Sequence, residues 1–281
     1  ADSSFDYNEV YTASVTLTAD TGYKFTSGTT ATVNGNAADS VTLNGNGTLT
    51  VTYVFDATDM ETPSVTDPQS VTVITGAAAE LSVTANADKG TLSYQWYSNN
   101  TDSNTGGTPI IGETLSSYAA PTGTAGTIWY YCVVTNSDNA GLGSTAASAV
   151  SQTAAVTVKL SSIQTSVYTI DAANDLLTMV SAGTSAGQLK TKLLNDPEDI
   201  KIFDGDTEYT GDAVATGMTV KYYVNGNVVD QLTISVFGDA SGDGIIDIDD
   251  ILYLRAQIVG TYAMTGCEAA ASDINGDAVI N

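Results

Sequence analysis

Ser93-Tyr94-Gln95-Trp96-Tyr97 and, about 30 residues later, Tyr130-Tyr131-Cys132-Val133-Val134-Thr135-Asn136 decide the fold of the central part of the chain. Successive side chains of a strand point to opposite faces, so Trp96, Tyr130 and Cys132 can share an inner face. Gln95, Tyr97, Trp129 and Tyr131 then fall on the outer one. The same alternation recurs in Ala13-Ser14-Val15-Thr16-Leu17-Thr18 and Thr48-Leu49-Thr50-Val51-Thr52-Tyr53, each bounded by Gly or Asn turns. Apolar residues on one face of such a strand are buried, while Thr on the other supplies β-propensity without an exposed apolar patch. A mainly β protein is predicted.

A core Trp on one strand, with a Tyr two residues before a Cys on a facing strand, is the arrangement of an immunoglobulin sandwich. Residues 58–158, which begin with a linker from Pro63 to Pro68, therefore resemble a bacterial immunoglobulin-like domain. No earlier cysteine stands near Leu81 or Val83 to pair with Cys132, which is read as a buried apolar thiol. Cys267 lies in a different module, so no disulfide between the two is expected.

The chain divides further on both sides. Residues 1–57 hold strands over Val10 to Ala19, Ala31 to Val33 and Leu49 to Val54. With Gly22-Tyr23-Lys24-Phe25 and Val33-Asn34-Gly35, this stretch resembles the latter half of an immunoglobulin-like repeat common in surface proteins of Gram-positive bacteria. The resemblance implies first strands that precede Ala1. Residues 159–237 mix strands at Ile200 to Phe203, Thr219 to Val224 and Val228 to Val236 with one helix. Ser185 caps that helix, Gln188 closes a capping box, Leu189, Leu193 and Leu194 share a face, and Asn195-Asp196-Pro197 ends it. Tyr168-Thr169-Ile170-Asp171, Ala182-Gly183-Thr184 and Thr216-Gly217-Met218-Thr219-Val220 resemble a small α+β module often found just before dockerins in clostridial proteins.

Composition narrows the function. Of 281 residues 42% are hydrophobic, enough for globular cores. There are 32 acidic residues against 8 basic ones, for a net charge of -24. The one arginine is Arg255, so nucleic acid and anionic membrane surfaces are poor partners. Histidine is absent, which removes Ser-His-Asp and Cys-His catalysis together with the commonest zinc ligand. Paired carboxylates could still hydrolyse glycosides, yet no acid pair stands out. No apolar run reaches the length of a membrane span, and no signal peptide begins at Ala1, so the numbering is expected to start inside a longer secreted precursor.

From Asp239 the chain reads Asp239-Ala240-Ser241-Gly242-Asp243-Gly244-Ile245-Ile246-Asp247-Ile248-Asp249-Asp250. Calcium takes six to eight oxygens, and a twelve-residue loop supplies them from positions one, three, five, seven, nine and twelve. Those positions are Asp239, Ser241, Asp243, the Ile245 carbonyl, Asp247 and Asp250. Gly244 stands at position six, where the chain turns sharply, and Ile246 at position eight can tie the loop to a neighbour. Ile251, Leu252, Leu254, Ile258 and Val259 recur at helical spacing until Gly260. The bland alternative is an acidic turn that only resembles a site.

A second copy begins 34 residues on, at Asp273-Ile274-Asn275-Gly276-Asp277-Ala278-Val279-Ile280-Asn281. The duplication, the Asp at position twelve and the strand-rich sequence running straight into the first loop resemble a type I dockerin, here residues 238–281. The resemblance implies Ca2+ in the first loop, weak or no binding by Asp273, Asn275 and Asp277 while the second copy stops at position nine, and a cohesin module of a scaffoldin as partner. Its partner-facing residues correspond to Ile248, Asp249, Arg255 and Ala256 here.

The expected architecture is thus mainly β: tandem immunoglobulin-like β-sandwich modules, a small α+β module and a C-terminal calcium loop-helix segment. The expected function is a non-catalytic, monomeric spacer and docking region of a secreted or cell-surface protein of a Gram-positive bacterium. It would join its parent to a polysaccharide-degrading complex. The alternative is a surface adhesin or carbohydrate-binding protein, for which Tyr97, Trp129 and Tyr131 offer a stacking platform on the outer sheet face.

Overall fold

The computed structural model describes residues 5–138, 145–274 and 279–280. It is mainly β, and its chain divides into two compact units. One comprises Ala1–Ser70, Glu80–Tyr118 and Ile128–Ala155; the other comprises Val71–Ala79, Ala119–Thr127 and Val156–Asn281.

In the first unit, Thr12–Leu17, Leu49–Val54 and Ser40–Leu43 form a three-stranded antiparallel sheet with Leu49–Val54 in the middle. Register sets Val15 and Val41 beside Val51, and Leu17 and Leu43 beside Leu49. One face is therefore apolar and the other is Thr and Ser apart from Val54 at its end, as period-two alternation dictates. Only the central Leu49 and Val51 are buried; Val15, Leu17 and Leu43 stay exposed.

Thr91–Asn99 pairs antiparallel with Gly126–Ser137, which also pairs with Ala146–Val150. Trp96 faces Cys132, and Tyr97 faces Tyr131. Trp96, Tyr130 and Cys132 are buried as the alternation requires, with Tyr118 and Leu81 completing the core. The Trp96 ring lies 5.8 Å from Tyr118, and Tyr118 lies 5.3 Å from Tyr130. The Trp96 indole N–H donates to the Leu115 carbonyl at 2.9 Å, which satisfies its single polar atom inside the core. Both cysteines are free.

The second unit is built on a six-stranded sheet in the order Thr169–Asp171, Leu176–Val180, Asn227–Val236, Thr219–Val224, Ile200–Asp204 and Thr207–Glu208. Leu176–Val180 runs parallel to Asn227–Val236; the other neighbours are antiparallel. Its core gathers Leu177, Val180, Ile200, Ile202, Val220, Tyr222, Ile234 and Val236 with Leu189 from the helix Ala186–Thr191. Ser185 caps this helix, and Gln188 returns the bond to the Ser185 N–H.

Two expectations about the helix need correction. It ends at Thr191, before Asn195-Asp196-Pro197, with Lys192 as its C-cap. Leu189 and Leu193 are buried, but Leu194 is 60% exposed. The Leu194 N–H donates to the Gln164 carbonyl at 2.7 Å, so the chain has already left helical geometry there and its side chain points away from the core.

Candidate metal centre

The strand Asn227–Val236 runs through Phe237 and Gly238 into the loop Asp239–Asp250, which leads without a break into the helix Ile248–Ile258. No helix enters the loop. Asp239, at position one, is fully buried, and Asp250, at position twelve, is 2% exposed. Oδ1 of Asp239 accepts the Gly242 N–H at 2.8 Å, while Oδ2 accepts the N–H groups of Thr216 at 2.8 Å and Gly244 at 3.2 Å. Oδ1 and Oδ2 of Asp250 accept the N–H groups of Ser241 at 2.9 Å and Asp247 at 2.8 Å. The two ends of the loop are thereby folded onto its own backbone.

Gly244 has φ +81°, and a Cβ there would meet the Ala215 Cβ at 3.3 Å. Position six thus favours glycine for its left-handed backbone, and a side chain there would also sit tightly against Ala215. Asp247 is the N-cap of the loop helix, and its carboxylate accepts the Asp249 N–H at 2.8 Å. Asp243 accepts the Ile245 N–H at 2.8 Å.

The expected ligands therefore occur in one loop, where the four carboxylates each accept a nearby backbone N–H and the Ser241 hydroxyl stands 3.5 Å from Oδ1 of Asp239. Among the described residues, no three acidic or Cys side chains form a group able to hold a metal ion. The donor set is nonetheless all oxygen, with four carboxylates, the Ser241 hydroxyl and the Ile245 carbonyl. That chemistry suits a hard cation and neither zinc nor a soft metal. Between Asp239 and Asn281 the one basic residue is Arg255, and it stands exposed in the last turn of the helix. The two buried carboxylates are compensated by backbone N–H bonds, three at Asp239 and two at Asp250, so the feature that fits a divalent cation is the all-oxygen donor set in a loop with no basic side chain of its own.

Of the second copy, Asp273 is the C-cap of the helix Gly266–Ser272, and its N–H donates to the Ala269 carbonyl at 3.0 Å. Asn275 and Asp277 lie outside the described residues.

Ile248 and Arg255 are seven residues apart, as are Asp249 and Ala256, so each pair shares a helix face two turns apart. Ile248, Asp249 and Arg255 are exposed and Ala256 is half-buried. The helical spacing of Ile251, Leu252, Leu254, Ile258 and Val259 matches the helix Ile248–Ile258, on which Ile251 is 57% exposed, Leu252 50% and Ile258 61%. Asp250 is the only residue of the helix that is buried. Ile246 is exposed as well, and its side chain reaches back over Gly238.

The aromatic platform on the outer sheet face also needs correction. Tyr97 and Tyr131 do stack, with ring centres 5.1 Å apart and planes 5° from parallel. Tyr131, however, is 4% exposed. The Gly107 N–H donates to its hydroxyl at 3.1 Å, so the segment around Gly107 covers the ring. Tyr97 and Trp129 are half-buried, which leaves no open three-ring surface.

Sequence reasoning did not find Thr216, which lies 23 residues before Asp239 in the chain and binds its carboxylate. No family model matches the chain, and no curated protein matches it. Among the described residues, no helix is long and apolar enough to cross a membrane.

Proposed function

We propose that Asp239–Asp250 binds calcium as the first loop of a type I dockerin and that the chain is a non-catalytic spacer and docking region of a secreted modular protein. Asp239, Ser241, Asp243, Asp247 and Asp250 would hold the ion with the Ile245 carbonyl. Bound there, it supplies the positive charge that the loop lacks. The observation that carries the reading is the loop itself. Asp239 and Asp250 are buried at its two ends, Gly244 is left-handed at position six, and Asp247 starts the helix.

The partner in this reading is a cohesin module of a scaffoldin in an extracellular polysaccharide-degrading complex or on a cell surface. Its support is the exposed row Ile248, Ile251, Leu252 and Arg255, because an apolar stripe with an Arg beside it is what a hot-spot surface offers. The spacer role rests on immunoglobulin-like sandwich modules, supported by the Trp96, Tyr118 and Tyr130 core. The alternative, an adhesin that stacks glycans on its outer sheet face, has less support because Tyr131 is covered.

Capture by a panel of immobilised cohesins, with calcium and with chelator, tests the proposal. Capture by at least one cohesin in calcium and its loss in chelator are expected. Failure of the whole panel, with glycan-array binding instead, would turn the assignment to the adhesin.

A further inference from the structure

Asp239 is held by more than its own loop. Its Oδ2 atom accepts two N–H bonds, one from Gly244 within the loop and one from Thr216 in the turn that precedes the strand Thr219–Val224. One carboxylate oxygen therefore joins position six of the loop to the preceding α+β fold.

The turn that supplies Thr216 is itself tied down. The Thr216 hydroxyl donates to the Val236 carbonyl at 3.3 Å and stands 3.0 Å from the Val236 N–H, whose bond it accepts. The Gly217 N–H donates to the Ile234 carbonyl at 2.9 Å, and the Val214 N–H to the Thr184 carbonyl at 2.8 Å. Val214, Ala215 and Thr216 are all buried. Val236 is the last residue of the strand that leads into Asp239, so the turn grips the loop at its entrance and again at its first ligand position.

Packing repeats the connection. A Cβ at Gly242 would come within 3.0 Å of the Thr216 carbonyl oxygen, and one at Gly244 within 3.3 Å of the Ala215 Cβ. The loop backbone lies against residues 215 and 216 closely enough that neither surface can move far without the other.

We infer that Thr216 is a positioning residue for the metal loop and that cation binding there is coupled to the folding of residues 213–218 and the strand Asn227–Val236. The inference rests on the calcium reading of the loop. A buried carboxylate with a fixed orientation is a better ligand than one free to rotate, since part of the ordering is already done. By reciprocity, an ion that binds only the ordered loop must stabilise the turn that orders it. The module before the loop is then part of the site.

Hydrogen exchange of the whole chain, followed by mass spectrometry with calcium and with chelator, tests this beside a calorimetric calcium titration. At free calcium 100 times the measured dissociation constant, exchange of residues 213–218 and 232–236 should slow about 100-fold, as the loop does. Peptides covering Thr91–Asn99 should not change. Heat of binding and slowed exchange in 239–250, with no change in 213–218, would overturn the coupling and leave the calcium reading standing. Absence of both heat and protection would overturn the two together.

Discussion

Asp247 and Asp250 hold each other's backbone at the start of the loop helix. The Asp247 N–H donates to Oδ2 of Asp250 at 2.8 Å, and the Asp247 carboxylate accepts the Asp250 N–H in return. This is a capping box, and it would stabilise the helix with or without a metal. The same two side chains are positions nine and twelve of the proposed calcium loop.

The two roles separate in Asp250→Asn. An amide keeps one acceptor oxygen where the carboxylate has two, so one of the N–H bonds from Ser241 and Asp247 is lost and a buried NH2 group faces that N–H, a loss of about 1–3 kcal/mol. The carboxylate charge is gone as well. The melting temperature in chelator should therefore fall below that of the parent chain, and the variant's own rise on adding calcium should disappear. An undiminished calcium-dependent rise would leave Asp250 a cap and nothing more.

Gly244→Ala tests the backbone of position six. Its φ of +81° lies in the left-handed region, which costs an L residue about 1–2 kcal/mol, and the new methyl would press on Ala215. Calorimetry should show a lower melting temperature for the unit that contains the loop and an unchanged one for the unit built around Trp96. Equal stability of parent and variant would mean that the loop rearranges at no cost.

Much of this was legible beforehand. Alternation located Leu49–Val54 and Thr219–Val224, and the Ser185 and Gln188 pair located a helix start, because strand faces and caps are local properties of the chain. Burial was less legible where a distant segment decides it. Nothing near Tyr131 in sequence announces that Gly107 will cover its ring, and nothing near Asp239 announces Thr216. The apolar period located the helix Ile248–Ile258 but left its exposure open, since period alone does not say whether a partner surface is present.

Alkaline pH should weaken the unit built around Trp96. Burial pushes the Cys132 thiol from its ordinary value of 9.0 up to about 11. Burial, helped by the neighbouring Tyr130 and Glu113, pushes the Tyr118 phenol from 10.0 up to about 12. Raised folded values mean that the unfolded chain loses these protons first. Stability from both groups is complete below about pH 9 and is lost as pH rises toward 12. Denaturant midpoints between pH 7 and 12 should be flat and then fall. Cys132 should also resist a thiol reagent at pH 8 until the chain is unfolded; rapid native-state labelling of both cysteines would contradict its burial.

Arg255 distinguishes a docking surface from a solvated helix. It is exposed on the face that carries Ile248, so Arg255→Ala should leave folding and calcium affinity intact. Against a captured cohesin it should weaken binding by about 2 kcal/mol, roughly 30-fold. Unchanged affinity would move the contact to another face of the helix.

Thermal unfolding of the whole chain in calcium and in chelator tests the central claim most directly. With calcium at 100 times its dissociation constant, the unit containing Asp239–Asp250 should gain about 2.7 kcal/mol and melt several degrees higher, while the unit built around Trp96 does not shift. Superimposable transitions in calcium and chelator would contradict the assignment of this loop as a calcium site.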